Sequence, residues 1–185
     1  RNFGVDSGFY PLGSCTMKYN PKVCEEVAGY DGFRNLHPLL PQLRLGGMLT
    51  QGALEVLHGL SGLLCEVTGM AAFTLQPLAG AHGELSGMMI IARHHQAHGG
   101  GKTKVLVPDS AHGTNPASAA IAGYEVVTVP SDSRGLMDMD AFEHALGLDV
   151  AAVMLTCPNT LGFFNPRIHE IAEMAHSVGA LMYYD

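Results

Sequence analysis

The sequence predicts an α/β fold built around a mainly parallel sheet. From residue 50 onward, short apolar runs of strand length alternate with longer segments of helical periodicity, and this order is typical of strands joined by crossover helices. The short runs are apolar throughout, as expected where helices cover both faces of a sheet. We therefore expect three layers, with the sheet between two layers of helices.

Two regions of different composition divide the chain. Residues 1–49 are rich in Gly, Pro and Asn and show little periodicity, so we expect an N-terminal arm or irregular segment there. Residues 50–185 contain no linker and form the regular part. The first helix of this part is predicted from apolar residues at helical spacing between Leu54 and Val67, with Gly69 as its C-terminal cap.

The later elements follow from the same signals. Strands are predicted at residues 71–75, 104–107, 125–129, 150–155 and 180–184, and helices at 84–97, 116–122, 139–148 and 166–177. Asp138 is the predicted N-cap of the helix at 139–148. Asn165 and Pro166 are placed at the N-cap and the first position of the last helix, which Gly179 ends.

Composition and charge exclude several classes of protein. Hydrophobic residues make up 47% and charged residues 15% of the chain, which excludes a disordered polypeptide. The net charge is -7 and the basic residues are scattered, so no nucleic-acid surface is expected. The apolar runs are too short to cross a membrane, and none follows Arg1 as a signal peptide requires. The four cysteines lack C-x-x-C spacing and fit a reducing compartment.

Small, polar or ionisable residues follow four of the five predicted strands. They lie at residues 76–84, 109–115 and 156–160 and at Asp185. Ligands of open α/β sheets bind beyond the carboxyl ends of the strands, so we predict a site at this edge. The remaining strand end, residues 130–132, has no assigned role.

Two glycine-containing segments differ in what they predict. The turn at residues 80–84 opens a helix, where small residues let main-chain N–H groups approach a phosphate; the alternative is a tight turn that needs glycine for its dihedrals. The run at residues 99–103 ends like a P-loop but leads into a strand, and Gln96 stands where the first glycine would be. We therefore reject a P-loop.

Histidines and one aspartate supply the ionisable candidates. His112 could stack on a ring, transfer a proton or bind a metal, and the alternative is a histidine satisfied by neighbouring hydroxyls. His94, His95 and His98 lack the glutamate of H-E-x-x-H, so we expect a solvated helix end and no metal site. Asp185 could be a metal ligand, a Ser/His partner, the counter-ion of a cofactor nitrogen or a turn cap, and no G-x-S-x-G elbow supports a hydrolase triad.

Four segments carry a resemblance to a known family. They are residues 10–21 (YPLGSCTMKYNP), 76–84 (QPLAGAHGE), 109–116 (DSAHGTNP) and 156–160 (TCPNT). They closely resemble the glycine-decarboxylating P-protein of the glycine cleavage system, a pyridoxal-phosphate (PLP) enzyme of fold type I. The resemblance runs through essentially the whole chain, and the proline-rich segment 33–42 resembles the separate second subunit of the bacterial form.

This resemblance implies a fold and a cofactor site. Residues 50–185 would form the N-terminal part of the PLP-binding large domain of fold type I, truncated before the Schiff-base lysine. The implied cofactor contacts run in chain order from the phosphate to the ring nitrogen. They are Gly80, Ala81 and His82 at the phosphate, His112 stacked on the ring, Thr156 and Asn159 near the ring hydroxyl, and Asp185 at the nitrogen.

The resemblance also implies an activity and partners. The activity would be glycine decarboxylation with transfer of the aminomethyl group to the lipoyl arm of the H-protein, with Ser14, Cys15 and Thr16 on the substrate side. A subunit 1 would complete an α2β2 assembly in the bacterial cytoplasm, or in mitochondria for a eukaryotic source. The alternatives are another fold-type I PLP decarboxylase or desulfurase, and a non-catalytic scaffold fragment.

The lysines lead to one further expectation. The sequence contains Lys18, Lys22, Lys102 and Lys104, and none of them follows Asp185. In the family that this chain resembles, the Schiff-base lysine comes after that aspartate. We therefore expect the 185-residue chain alone to be inactive in glycine decarboxylation.

Overall fold

A computed structural model describes residues 20–37, 40 and 50–185 of the chain. The contacts divide the chain into two compact units, Arg1–Leu75 and Gln76–Asp185. The division of the chain near residue 50 stays a prediction.

The described part of the first unit is helical. Helix α1 spans Lys22–Ala28, α2 spans Asp31–Arg34 and α3 spans Gln51–Thr68. The first two fall within the segment expected to be irregular, and both are too short for a periodic pattern to show in the sequence. Gly69 adopts a left-handed conformation with φ of 73° and donates its N–H to Cys65, so the predicted cap is confirmed.

The strand predicted at residues 71–75 is wrong. These residues form no strand, and the carbonyl of Phe73 accepts a hydrogen bond of 3.2 Å from the hydroxyl of Ser61 on α3. A strand requires a neighbour along its edge, and an apolar run alone does not reveal whether that neighbour exists.

The second unit contains a parallel sheet of four strands. Strands β1 (Lys104–Pro108), β2 (Glu125–Val129), β3 (Val150–Leu155) and β4 (Leu181–Tyr184) are arranged in the order β2-β1-β3-β4. All three strand pairs are parallel. The helices are α4 (Gly80–Ala97), α5 (Thr114–Ile121), α6 (Met139–Ala145) and α7 (Ile168–Ser177). The predicted α/β class and the other four predicted strands are confirmed.

Apolar side chains fill both faces of the sheet. Helices α4 and α5 cover one face, and α6 and α7 cover the other. The buried contacts are Met88, Ile91, Val105, Val107, Ala119 and Met154 on one face, and Leu106, Phe142, Val153, Leu155, Ile171 and Ala175 on the other. Burial of each large side chain contributes roughly 1.5–3 kcal/mol, and this packing fixes the positions of the strand ends.

A bulge in β3 explains an unexpected buried histidine. Lys104 pairs with Val150 and Val105 pairs with Ala152, so Ala151 is an extra residue. The carbonyl of Ala151 lies 2.8 Å from Nε2 of His95, which is only 7% exposed. The expected solvated helix end is therefore wrong for His95, although His94 and His98 are exposed. Burial lowers the pKa of His95.

The predicted helix ends are correct in part, because α4 begins four residues earlier than predicted and α6 ends three residues earlier. A side-chain oxygen of Asp138 accepts the N–H of Ala141 at 2.9 Å and caps α6. Helix α7 begins two residues later than predicted, but Asn165 still accepts the N–H of Arg167 at 2.9 Å. Gly179 follows α7 with φ of 71°. No helix in the described part of the chain is long and apolar enough to span a membrane.

Candidate functional site

The carboxyl ends of β1 and β3 meet where the strand order reverses. The chain passes from β1 to β2 on one side, while β3 and β4 lie on the other. The crevice at such a switch point is where ligands bind in open α/β sheets. Here the hydroxyl of Thr160, after β3, donates to the carbonyl of Ser110, after β1, and thereby joins the two loops.

Asp185 lies at this edge, directly after β4. Its Oδ2 accepts hydrogen bonds from the amide of Asn115 at 3.3 Å and from the hydroxyl of Thr156 at 3.4 Å. The main chain holds it as well, because the N–H of Asp185 donates to the carbonyl of Leu155 at 2.9 Å. The structure thus brings together Asp185 and Thr156, which are 29 residues apart.

The loop after β1 presents His112 with an exposed ring. Nδ1 of His112 lies 2.7 Å from the hydroxyl oxygen of Thr114, and that hydroxyl donates a hydrogen bond of 2.7 Å to Oε1 of Glu84. The hydroxyl of Ser118 approaches the other carboxylate oxygen of Glu84 at 3.4 Å. A histidine bonded to a neighbouring hydroxyl, one of the two interpretations of His112, is therefore present, and its ring is exposed among the described residues.

The turn before α4 has the features expected of an anion site. Helix α4 begins at Gly80, and no side chain among the described residues caps it. The N–H groups of His82 and Gly83 donate to the carbonyl of Ala79, which leaves those of Gly80 and Ala81 as donors at the helix start. A Cβ at Gly80 would meet no atom of the described residues within 4 Å, so none of them crowds the turn at this position.

The side chain of Asn159 makes hydrogen bonds that shape the loop after β3. Its amide donates to the carbonyl of Gly135 at 2.8 Å, and its Oδ1 accepts the N–H groups of Leu161 and Phe163, each at 3.0 Å. These bonds fold the loop after β3 and engage both ends of the side chain. A small cleft lined in part by Asn159 and Thr156 lies beside it.

Tyr183 lies in β4, and the charges of the site affect its pKa. Burial raises the pKa of Tyr183 to about 12, and the negative charges of Asp185 and Glu84 contribute to this shift. The ring packs so closely on α4 that a Cβ at Gly87 would lie 2.7 Å from its Cε2. The phenol therefore stays neutral beside two carboxylates.

Sequence reasoning assigned no role to Glu84 or Asn115. Asn115 is fully buried, and Glu84 is 5% exposed. Glu84 shares one buried stripe of α4 with Met88, Ile91 and His95. A carboxylate on a stripe with Met88 and Ile91 is a signal that could have identified it. Ser14, Cys15 and Thr16 lie outside the described residues. The described residues also contain no group of three or more His, Cys, Asp or Glu side chains placed to hold a metal.

A family profile described as aminotransferase class-V matches residues 82–185. The match takes in more than half of the chain, including all four strands. The chain belongs to the aminotransferase class-V family.

Curated relatives show a more specific similarity than the family match does. A protein of Kosmotoga olearia is 58% identical over 186 aligned residues, which cover all of this chain and 38% of the relative. A protein of Lysinibacillus sphaericus is 57% identical, with 37% of its length covered. Both carry the name "Probable glycine dehydrogenase (decarboxylating) subunit 2". The predicted resemblance is confirmed, and the chain spans just over a third of the length of these relatives.

Solved structures show the same fold. An inhibitor-bound glycine decarboxylase (P-protein) of the glycine cleavage system matches 89% of this chain and 35% of its own, with a TM-score of 0.69 and 24% identity. Oryza sativa TDC, solved with PLP and tryptamine, matches 58% of this chain and 26% of its own, with a TM-score of 0.51 and 15% identity. These likenesses confirm the predicted fold class of this aminotransferase class-V member.

Proposed function

We propose that this chain supplies the cofactor-binding sheet edge of a PLP-dependent glycine dehydrogenase (decarboxylating). The observation that carries the proposal is the position of Asp185, which Asn115 and Thr156 hold by one carboxylate oxygen at the switch point of the sheet. The names of the curated relatives support the choice of glycine as substrate.

The residues present fit such a cofactor. A protonated pyridine nitrogen requires an anionic partner, and Asp185 offers a carboxylate whose Oδ1 takes no hydrogen bond from the described part of the chain. A phosphate requires N–H donors, and the uncapped start of α4 offers those of Gly80 and Ala81. An aromatic ring requires a flat neighbour, and His112 has an exposed imidazole.

Each of these side chains would have a separate task. PLP supplies an electron sink for the charge left on the substrate carbon when carbon dioxide departs. Asp185 would keep the ring nitrogen protonated, because a neighbouring carboxylate favours the cationic form. His112 would hold the ring by stacking, and Thr156 would hold Asp185 in place while lying within reach of the ring hydroxyl. His82 would contribute at the phosphate.

The two lysines of the second unit lie away from this edge. The ammonium group of Lys102 donates to the carbonyls of Leu148, Val150 and Val178 at 3.1, 2.9 and 2.8 Å. Lys104 begins β1 at its amino end and pairs with Asp149 at 2.8 Å. Neither is placed to form the Schiff base, and this supports our proposal that the 185-residue chain alone is inactive in glycine decarboxylation.

The partners and the location belong to the same proposal. The aminomethyl group would pass to the lipoyl arm of the H-protein, and a subunit 1 would complete an α2β2 assembly. Ser14, Cys15 and Thr16 would lie on the substrate side. The enzyme would work in the bacterial cytoplasm, or in mitochondria for a eukaryotic source, where its cysteines stay reduced.

The test is exchange of labelled bicarbonate into the carboxyl group of glycine. We expect the full chain that carries this sequence, with its partner subunit, PLP and lipoylated H-protein, to catalyse the exchange, and the 185-residue chain to show none. Decarboxylation of another amino acid, or release of sulfide from cysteine, in place of glycine exchange would favour the alternative PLP enzymes. Exchange by the 185-residue chain would contradict the proposed inactivity.

A further inference from the structure

Glu84 is a buried carboxylate without a basic partner in the described part of the chain. It lies in α4 and is 5% exposed. Its hydrogen-bond donors are hydroxyl groups of α5, those of Thr114 at 2.7 Å and Ser118 at 3.4 Å. A buried carboxylate without a cation is costly to the fold. A role in orienting neighbouring side chains accounts for the presence of Glu84 better than a contribution to stability does.

Thr114 connects this carboxylate to His112. The hydroxyl of Thr114 lies 2.7 Å from both Oε1 of Glu84 and Nδ1 of His112. A hydroxyl has one proton, so it can donate to only one of these neighbours and must accept from the other. Donation to Glu84 therefore requires that Nδ1 of His112 carries a proton and donates to Thr114.

One contact opposes this arrangement. The main-chain N–H of Thr114 points at Nδ1 of His112 from 3.3 Å, and that contact requires a lone pair on Nδ1. The hydrogen bond from Thr114 to the carboxylate of Glu84 favours the form with a proton on Nδ1, because a hydrogen bond to a charged acceptor is about twice as strong as a neutral one. The competing contact is also 0.6 Å longer than the bond between His112 and Thr114, at 3.3 against 2.7 Å.

We propose that Glu84 is a positioning residue that acts through Thr114 to hold His112 in its Nδ1–H form and in one ring orientation. Nε2 is then the lone-pair nitrogen of the neutral ring. Only the use of this orientation, stacking on the cofactor ring, rests on the proposed function. The protonation pattern follows from the contacts between the three side chains.

A purely structural role for Glu84 makes a different prediction. If the carboxylate served only to pack α4 against α5, its loss would lower the stability of the fold and leave the ring protons of His112 unchanged. The readout must therefore be the position of the proton on the imidazole. Nitrogen NMR of the full chain with isotope-labelled histidine reports it directly, and the signals of His112 are those lost in His112→Asn.

Four variants make this test selective. We expect His112 to be mainly Nδ1–H in the wild type, in Thr114→Ser and in Glu170→Gln, which changes an exposed carboxylate paired with Arg167. We expect a shift toward Nε2–H in Glu84→Gln and a complete one in Thr114→Val, where the main-chain N–H keeps its contact to Nδ1. If Glu84→Gln does not fold, Thr114→Val carries the same test.

The outcomes separate this inference from the proposed function. A wild-type ring that is mainly Nε2–H, or a tautomer unchanged in either Glu84→Gln or Thr114→Val, would overturn the inference. Binding of pyridoxamine 5′-phosphate to the same samples tests the proposed function independently. A tautomer that shifts as expected in a protein that does not bind this ligand supports the positioning role and contradicts the proposed cofactor.

Discussion

The side-chain amide of Asn115 donates a hydrogen bond of 3.3 Å to the carboxylate of Asp185. Asn115 lies in the first turn of α5, and Asp185 directly follows β4, 70 positions later. A carboxylate only accepts hydrogen bonds, so the amide must turn its NH2 group toward it. This leaves Oδ1 of Asn115 buried without a partner among the described residues. The amide of Asn115 is thus oriented toward Asp185 and holds the carboxylate in position.

Replacement of Asn115 tests this relationship. Because a hydrogen bond to a charged group is worth about 1.5–3 kcal/mol, we expect Asn115→Ala to weaken binding of pyridoxamine 5′-phosphate by at least about tenfold. Isothermal titration calorimetry on the full chain measures the change. The matched control is Asn35→Ala, which removes an exposed amide bonded to Asp31 at 3.2 Å. Equal losses of affinity in both variants would show that Asn115 has no specific role.

Acid should destabilise the fold through His95. Burial lowers the pKa of His95 in the folded protein below its ordinary value of 6.5. As the pH falls through about 6.5, the unfolded chain takes up a proton that the folded chain resists, so the free energy of unfolding decreases until the folded pKa is reached. His95 therefore contributes its full stability only above that range.

The pH dependence of unfolding in urea checks this effect. We expect His95→Gln, which keeps an N–H donor for the carbonyl of Ala151, to show a smaller loss of stability on acidification than the wild type. His169→Gln, at an exposed position that does not contribute to the shift of His95, should retain the wild-type dependence. The prediction fails if His95→Gln and the wild type lose stability in parallel.

Lys102 should stabilise the sheet at the edge opposite the site. Its ammonium group joins three carbonyls, those of Leu148, Val150 and Val178. Because the substitution Lys102→Met removes the ammonium donor from these acceptors, two of them part-buried, we expect the free energy of unfolding to fall by about 2 kcal/mol. Lys104→Met, which breaks a half-exposed ion pair with Asp149, should change it less. Urea denaturation of the two variants measures the contrast, and similar losses would contradict this role of Lys102.

The contact between Gly87 and Tyr183 predicts a steric effect. A methyl group at Gly87 would lie 2.7 Å from the half-buried ring of Tyr183, so we expect Gly87→Ala to destabilise the fold by about 1–3 kcal/mol. At Gly83 the same methyl group meets open space, and Gly83→Ala should stabilise α4 by up to about 1 kcal/mol. Tyr183→Leu should partly restore the stability of Gly87→Ala, and a thermal melt of the double variant checks this.

The sequence was sufficient to predict the four strands and most helix ends. Apolar runs such as the one in β3 and capping residues such as Asp138 are local signals, and local signals can be read from one chain. The strand expected at residues 71–75 failed because strand formation depends on a neighbouring strand. The burial of His95 was missed because it depends on a bulge in β3, 56 residues further along the chain.

The residues of the site also fall into two groups, those that local signals in the sequence indicate and those that depend on packing. The position of His112, Thr156 and Asp185 at one edge of the sheet could be predicted, because each follows a strand and the carboxyl ends of parallel strands share one edge. Their roles toward a cofactor stay predictions. Glu84 and Asn115 act through side chains on other elements, and their partners are known only once α4 and α5 pack on the sheet. The loop bonds of Asn159 were hidden for the same reason, since they depend on how residues 159–163 fold back.

The central claim is that Asp185 and its neighbours hold the PLP ring. Pyridoxamine 5′-phosphate tests it directly, because this ligand occupies a PLP site without needing a Schiff-base lysine. We expect the full chain to bind it, Asp185→Ala to bind it at least about tenfold more weakly, and the half-buried control Asp149→Ala, just before β3, to bind it like the wild type. Equal affinity of the wild type and Asp185→Ala, or no binding by the wild type, would contradict the account.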